Sequence, residues 1–195
     1  MAERGQSDDI VLATENDPKR TFISHSLVYV RLARNRYGLP CGGGSSIYTK
    51  TLYAGWSDMD FNSHMKNTAY LDKTADVRQM FLIENGFPVE EFTRLRIGPV
   101  VMKDEIEYFR EIGLQQKIDV TYALAGHALD GSRFLLRHEI FRPDGELSAR
   151  VLSAGGWLDL DKRKIVAPPP ALFAAMDSLE RTDDFVVLAS SVRDE

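Results

Sequence analysis

NTAYLDKTADVRQMFLIENG, residues 67–86, reads as one long helix that must bury one side. Tyr70, Thr74, Val77 and Phe81 recur at helical spacing, and Leu71, Ala75, Leu82 and Ile83 widen the stripe. The helix is expected to start near Asn67 or Thr68 and to run about five turns. Gly86 and Pro88 should end it, because glycine accepts the left-handed turn after a helix and proline cannot continue one. A mostly buried helix of this length needs a surface wide enough to enclose it.

The flanking sequence supplies that surface. Upstream, residues 47–56 (IYTKTLYAGW) are rich in β-branched and aromatic side chains and predict a strand. Downstream, four more are predicted over 98–109, 117–125, 132–141 and 146–160, with Ile118, Val120, Tyr122 and Leu124 alternating within the second. The turn signals between them are GHALDG at 126–131 and Pro143-Asp144-Gly145. After a charged turn at 161–164, residues 165–167 make a short last strand, the prolines at 168–170 stop it, and a short helix follows over 171–179. A strand, a long helix and then strands in succession is α+β. It predicts a mostly antiparallel sheet of five or six strands wrapped around one helix.

Composition narrows the function classes. A chain of 195 residues supports one core with an appendage, and 44% hydrophobic with 27% charged residues fits a soluble globular protein. A net charge of -5 without a basic stripe argues against a nucleic-acid partner. Cys41 is the only cysteine, so neither an intrachain disulfide nor a cysteine zinc site can form. No apolar run approaches the roughly 20 residues that span a bilayer, and MAERGQSDDI is too polar for a signal peptide, so a cytoplasmic protein without membrane attachment is expected.

Three regions are expected: an N-terminal extension over 1–45, a main domain over 46–170, and a C-terminal helix and tail over 171–195. The extension opens with a polar tail of about 20 residues. Residues 21–34 then fit either a strand or a short helix, and GLPCGGGSS at 38–46 reads as a linker. Those glycines lack the Lys-Ser/Thr spacing of a phosphate-binding loop.

Reactive side chains crowd into SDMDFNSHMKNTAY, residues 57–70, between the first strand and the helix start. The first N–H groups of a helix are unpaired and can hold a developing oxyanion. A carboxylate one loop upstream, Asp60, could attack a thioester carbonyl or deprotonate a water that does. Asp58 reads instead as a residue that bonds loop or helix-start amides. Asp72 and Asp76 stand at i and i+4 on the helix, where Arg78 could neutralise Asp76. His25, His127 and His138 show no metal-ligand spacing, and no G-x-S-x-G elbow is present. No metal or cofactor is expected.

The string Asp58, Asp60, His64, Asn67, Tyr70 and Leu71 resembles the signature of the 4-hydroxybenzoyl-CoA thioesterase family, over about residues 46–170. The resemblance implies a hotdog fold and an acyl-CoA or acyl carrier protein substrate. It also implies homodimers that pair their sheets, often as dimers of dimers, with active sites between protomers. Asp60 matches the family's catalytic carboxylate and the Asn67 N–H its donor to the thioester oxygen. Asp76 is a reserve carboxylate, since some hotdog thioesterases carry theirs on this helix. His64 is either an ordinary loop histidine or an orienting imidazole, while Lys66 and Tyr70 are the candidate substrate contacts. Phe81, Val100 and Met102 are candidates for the acyl tunnel. The family's usual Gly-His-Val-Asn-Asn is here Ser63-His64-Met65-Lys66-Asn67, which bears on rate and substrate. The competing readings are a hotdog hydratase or dehydratase and a non-catalytic acyl-CoA binder.

Overall fold

The structure is a computed structural model that describes residues 47–192. The expectations for the extension over 1–45, its linker and Cys41 lie outside the described residues. In chain order the elements are β1 (Tyr48–Tyr53), a 3-10 turn (Trp56–Asp58), α1 (Asn67–Glu84), α2 (Val89–Leu95), β2 (Ile97–Tyr108), β3 (Lys117–Ala128), β4 (Arg133–Phe141), β5 (Leu147–Asp159), β6 (Lys164–Val166), α3 (Pro170–Asp177) and β7 (Arg181–Leu188).

One sheet runs in the order β1-β3-β4-β5-β2, with β6 on β5 and β7 on β3. All pairings are antiparallel except that of β7, which runs parallel to β3. β1 covers Lys117–Tyr122 of β3 and β7 covers Leu124–Ala128, so the two short strands share one side of β3 end to end. The inner face carries Ile118, Val120, Tyr122 and Leu124 from β3, and Phe134, Leu136, His138 and Ile140 from β4, all buried. Against it lies α1, with Ala69, Tyr70, Thr74, Val77, Phe81 and Leu82 buried. The expected stripe is the buried side, except that Ile83 is exposed. This is the hotdog arrangement, a sheet wrapped around a helix.

The end of α1 follows the expected chemistry. Gly86 takes φ 86°. Its N–H donates to the Ile83 carbonyl and the Phe87 N–H to the Leu82 carbonyl, a Schellman closure.

Three features depart from expectation. Among the described residues the sheet has seven strands, because residues 181–188, read from sequence as tail, form β7. Its half-buried residues Thr182, Phe185 and Leu188 recur every third position instead of every second, with Asp183, Asp184, Val186 and Val187 exposed between them, so the period-2 strand signal is missing, and its register depends on close approach to β3. A Cβ at Gly126 would stand 2.6 Å from the Val186 carbonyl oxygen. Second, β3 runs on to Ala128 through a bulge at Ala125, past the turn expected at 126–131, since β7 pairs with that extension. Third, α2 restarts the chain after Pro88. Its Phe92 is buried and stacks on Trp157, with ring centroids 6.2 Å apart. Glu90 and Glu91 in its first turn and Arg94 in its last were the readable signals.

Candidate active site

The signature loop is built from its own backbone. Asp60 N–H donates to the His64 carbonyl (2.9 Å) and Ser63 N–H to the Asp60 carbonyl (3.1 Å), closing a tight turn. Ser63 sits at φ 64°, the left-handed conformation in which glycine is at home, which gives a physical meaning to the glycine that the resembling family carries there. The loop is then strapped to the β2–β3 connection. Met65 N–H donates to the Ile112 carbonyl (2.8 Å), and His64 bridges to Gly113.

Two carboxylates two residues apart have different surroundings. Asp58 is buried and ion-paired to Lys73 at 2.7 Å, and its Oδ2 accepts the Gly55 N–H at 2.7 Å. Burial alone would raise its pKa. The bond from Lys73, the Gly55 amide and the charges of Lys73 and Lys66 outweigh that and hold it below the ordinary carboxylate value. Its carbonyl accepts the Lys66 N–H at 2.8 Å, so Asp58 fixes where α1 begins. Asp60 is exposed. Its Oδ1 accepts the N–H of Asn62 at 2.8 Å and, weakly, that of His64 at 3.4 Å, leaving Oδ2 with only a 3.5 Å contact to the Asn62 amide.

Lys66 is the N-cap of α1 and offers no side-chain acceptor. Asn67 Oδ1 accepts the Thr68 N–H at 3.0 Å and the Lys66 carbonyl accepts the Ala69 N–H at 3.0 Å, so the Asn67 N–H is the first-turn amide left open beside the Asp60 loop. The Asn67 carbonyl accepts from Tyr108 Oη at 3.4 Å, and the Tyr108 and Tyr70 rings meet edge to face at 5.1 Å. Tyr70 is buried, and its hydroxyl pKa is raised mainly by burial, with further contributions from Tyr108, Glu111 and Asp60. Asp60 and Tyr70 thus lie within electrostatic reach of each other. Glu111, held low chiefly by its own backbone amide, also feels His64.

The structure draws Asp60, His64, Asn67 and Tyr70 to one end of α1. Lys66 is there too, but its ammonium donates to the Ser57 carbonyl at 2.8 Å. Asp76 is elsewhere. It is exposed and nine residues beyond Asn67, which is about two and a half turns and the opposite side of the helix. Arg78, two residues on, lies on another side of the helix, where its Nη1 is buried without a hydrogen-bond partner. Of the expected tunnel residues, Phe81 is buried and Met102 is exposed at the β2 bulge. Sequence reading missed Lys73, Tyr108 and Glu111. Lys73 looked like one more solvent-facing charge on the helix, and the other two reach the loop only through pairing of distant strands. Among the described residues no cluster of three His, Cys, Asp or Glu could hold a metal, and no helix is long and apolar enough to cross a membrane.

Residues 54–176 match the model of the thioesterase-like superfamily. A curated relative, the L-carnitine dehydrogenase/betainyl-CoA thioesterase of Agrobacterium fabrum, is 26% identical over 160 residues, 80% of this chain. The chain spans about a third of that relative's length, 32%. A 1,4-dihydroxy-2-naphthoyl-CoA thioesterase from Synechocystis superposes with a TM-score of 0.62 at 15% identity, over 69% of this chain and 98% of that one. A Staphylococcus aureus protein solved in complex with CoA gives 0.62 at 20% identity, over 68% and 82%. A probable thioesterase from Escherichia coli gives 0.57 at 24%, over 68% and 98%. At such identities the superpositions speak for the fold.

Proposed function

The chain belongs to the thioesterase-like superfamily, and from that premise we propose that it hydrolyses the thioester of an acyl-CoA, or of an acyl carrier protein, to a free acid and a thiol. The observation that carries the reading is the open Asn67 N–H at the start of α1 beside the exposed Asp60. The Asn67 N–H polarises the thioester carbonyl and takes the charge that grows on its oxygen. Asp60 acts either as general base, drawing a proton from water as the C–O bond forms, or as nucleophile, forming an anhydride that water then opens. In both courses the C–S bond breaks and the leaving thiolate takes up a proton. Tyr70 walls the pocket, His64 orients the loop, and Lys66 adds positive charge at its mouth.

The outer edge of β2, twelve residues long and without a further strand among the described residues, supports a homodimer that continues the sheet and brings two sites together. One observation favours a competing reading. Asp60 Oδ1 already accepts two loop amides, as it would in a domain that binds acyl-CoA without turning it over.

The test is thiol release from aromatic, short-chain, long-chain and betainyl thioesters of CoA by wild type and by Asp60→Asn. Release that falls by about two orders of magnitude or more in a folded variant supports the reading. Undiminished release by the variant moves the carboxylate role to Asp76, and binding without release by either protein leaves the non-catalytic reading standing.

A further inference from the structure

Halfway along α1 a cleft of about 170 Å³ opens between the helix and the sheet. Its walls include Ala75 from α1, Pro99 from β2, Tyr122 from β3, Leu136 from β4 and Trp157 from β5, and Arg78 is the one charged residue lining it. Arg78 Nη1 is buried with no hydrogen-bond partner. Among the described residues that line the cleft none carries a negative charge. Burial raises the Tyr122 hydroxyl pKa and keeps it protonated. The His138 ring, stacked on Tyr122 at 4.8 Å, is drawn down to about 3 by burial and by the Arg78 charge, so it stays neutral. Arg78 as a whole is half-buried, but a guanidinium nitrogen buried without a partner in a mostly apolar cleft is an unmet donor that a bound acceptor would satisfy.

The helix connects this cleft to the signature loop. Asn67, Leu71, Ala75, Arg78 and Leu82 stand at i, i+4, i+8, i+11 and i+15 and share one side of α1. Arg78 lies roughly 16 Å along the axis from Asn67, a distance that its side chain shortens by leaning toward the N-terminus. A thioester held at the Asn67 amide would thus direct the far end of its acyl group toward the guanidinium. The cleft is comparable to the roughly 150 Å³ that holds a benzene-sized group, enough for a chain end.

We propose that Arg78 receives a carboxylate at the distal end of the acyl group, so that the preferred substrates are thioesters of medium-length dicarboxylic acids. This rests on the thioesterase reading. A carboxylate satisfies both the guanidinium charge and its paired donors, whereas a neutral acceptor meets only the donors and a cationic acyl group is repelled.

The experiment compares kcat/KM for adipoyl-, suberoyl- and sebacoyl-CoA with hexanoyl-, octanoyl- and decanoyl-CoA, in wild type, Arg78→Lys and Arg78→Met. Wild type should favour the carboxylate-ended member of each pair by roughly ten- to a hundredfold. That ratio should shrink in Arg78→Lys and approach unity in Arg78→Met. The melting temperature of Arg78→Met should hold or rise, because a half-buried cation with an unmet buried donor is gone. Equal rates in wild type, or a preference that survives Arg78→Met, would overturn the proposal. So would an Arg78→Met protein that changes oligomeric state with its preference intact, since the guanidinium would then belong to a subunit contact. If wild type hydrolyses none of the six, the wider panel above decides the thioesterase reading, and calorimetry with non-hydrolysable suberoyl and octanoyl thioethers decides the Arg78 question. Tighter suberoyl binding that Arg78→Met abolishes sustains it, and equal or absent binding sinks it.

Discussion

At its C-terminal end α1 closes on itself, with Gly86 and Phe87 donating to the carbonyls of Ile83 and Leu82 and the Asn85 amide bonding Phe81. At its N-terminal end Lys66 stands where a serine or aspartate would normally accept, and with the Thr68 N–H held by Asn67 Oδ1 and the Ala69 N–H by the Lys66 carbonyl, the Asn67 N–H stays open. Both ends need a left-handed residue nearby. The closed end fills the need with Gly86 at φ 86°, the open end with Ser63 at φ 64°. The difference teaches where function sits: one terminus is finished for stability, and the other keeps an open amide and a strained residue beside an exposed carboxylate.

The comparison is broken most severely at Asp58, which holds the open end in place. Asp58→Asn strands Lys73, which is largely buried, and should cost about 3 kcal/mol in chemical denaturation. Adding Lys73→Met should return much of that loss, and failure to do so would mean that Asp58 acts through its amide contacts alone. The pH dependence has a definite sign. The folded-state pKa of Asp58 is depressed, so its contribution is complete above the unfolded carboxyl range near pH 4 and disappears as pH falls through the lower folded value. The stability gap between wild type and Asp58→Asn should therefore be flat from about pH 6 to 8 and narrow below about pH 4.

Gly86→Ala is a smaller perturbation at the closed end. No atom crowds the new Cβ, so only the left-handed backbone resists it, at about 1 kcal/mol by thermal unfolding. Ser63→Gly should have the opposite sign, stabilising the protein by roughly 0.5 kcal/mol because it relieves the same conformation at the open end. A loss on Ser63→Gly would show that the serine side chain contributes more to the loop than its backbone costs.

Much of this contrast was legible in the sequence. The α1 stripe and its glycine stop are local, because one residue type at one spacing specifies them. The signature likewise brought Asp60, His64, Asn67 and Tyr70 to one loop and one helix start, since they lie within eleven residues of each other. The partners that distinguish Asp58 from Asp60 were not legible. Two aspartates in one loop look alike until Lys73 is turned toward one of them by the helix phase. β7 escaped for a similar reason, as its strand character depends on an approach to Gly126 more than fifty residues away.

What the sequence determined by itself was the helix, the succession of strands and the placing of reactive groups around residues 57–70. Periodicity, turn chemistry and capping act over a few residues and are therefore written locally. What only the tertiary structure decided was which carboxylate is committed to structure, and that Arg78, about three turns beyond Asn67, holds a buried guanidinium nitrogen without a partner in a mostly apolar cleft. Burial and the pairing of charges depend on which distant strands close over a side chain, and no window along the chain contains that information.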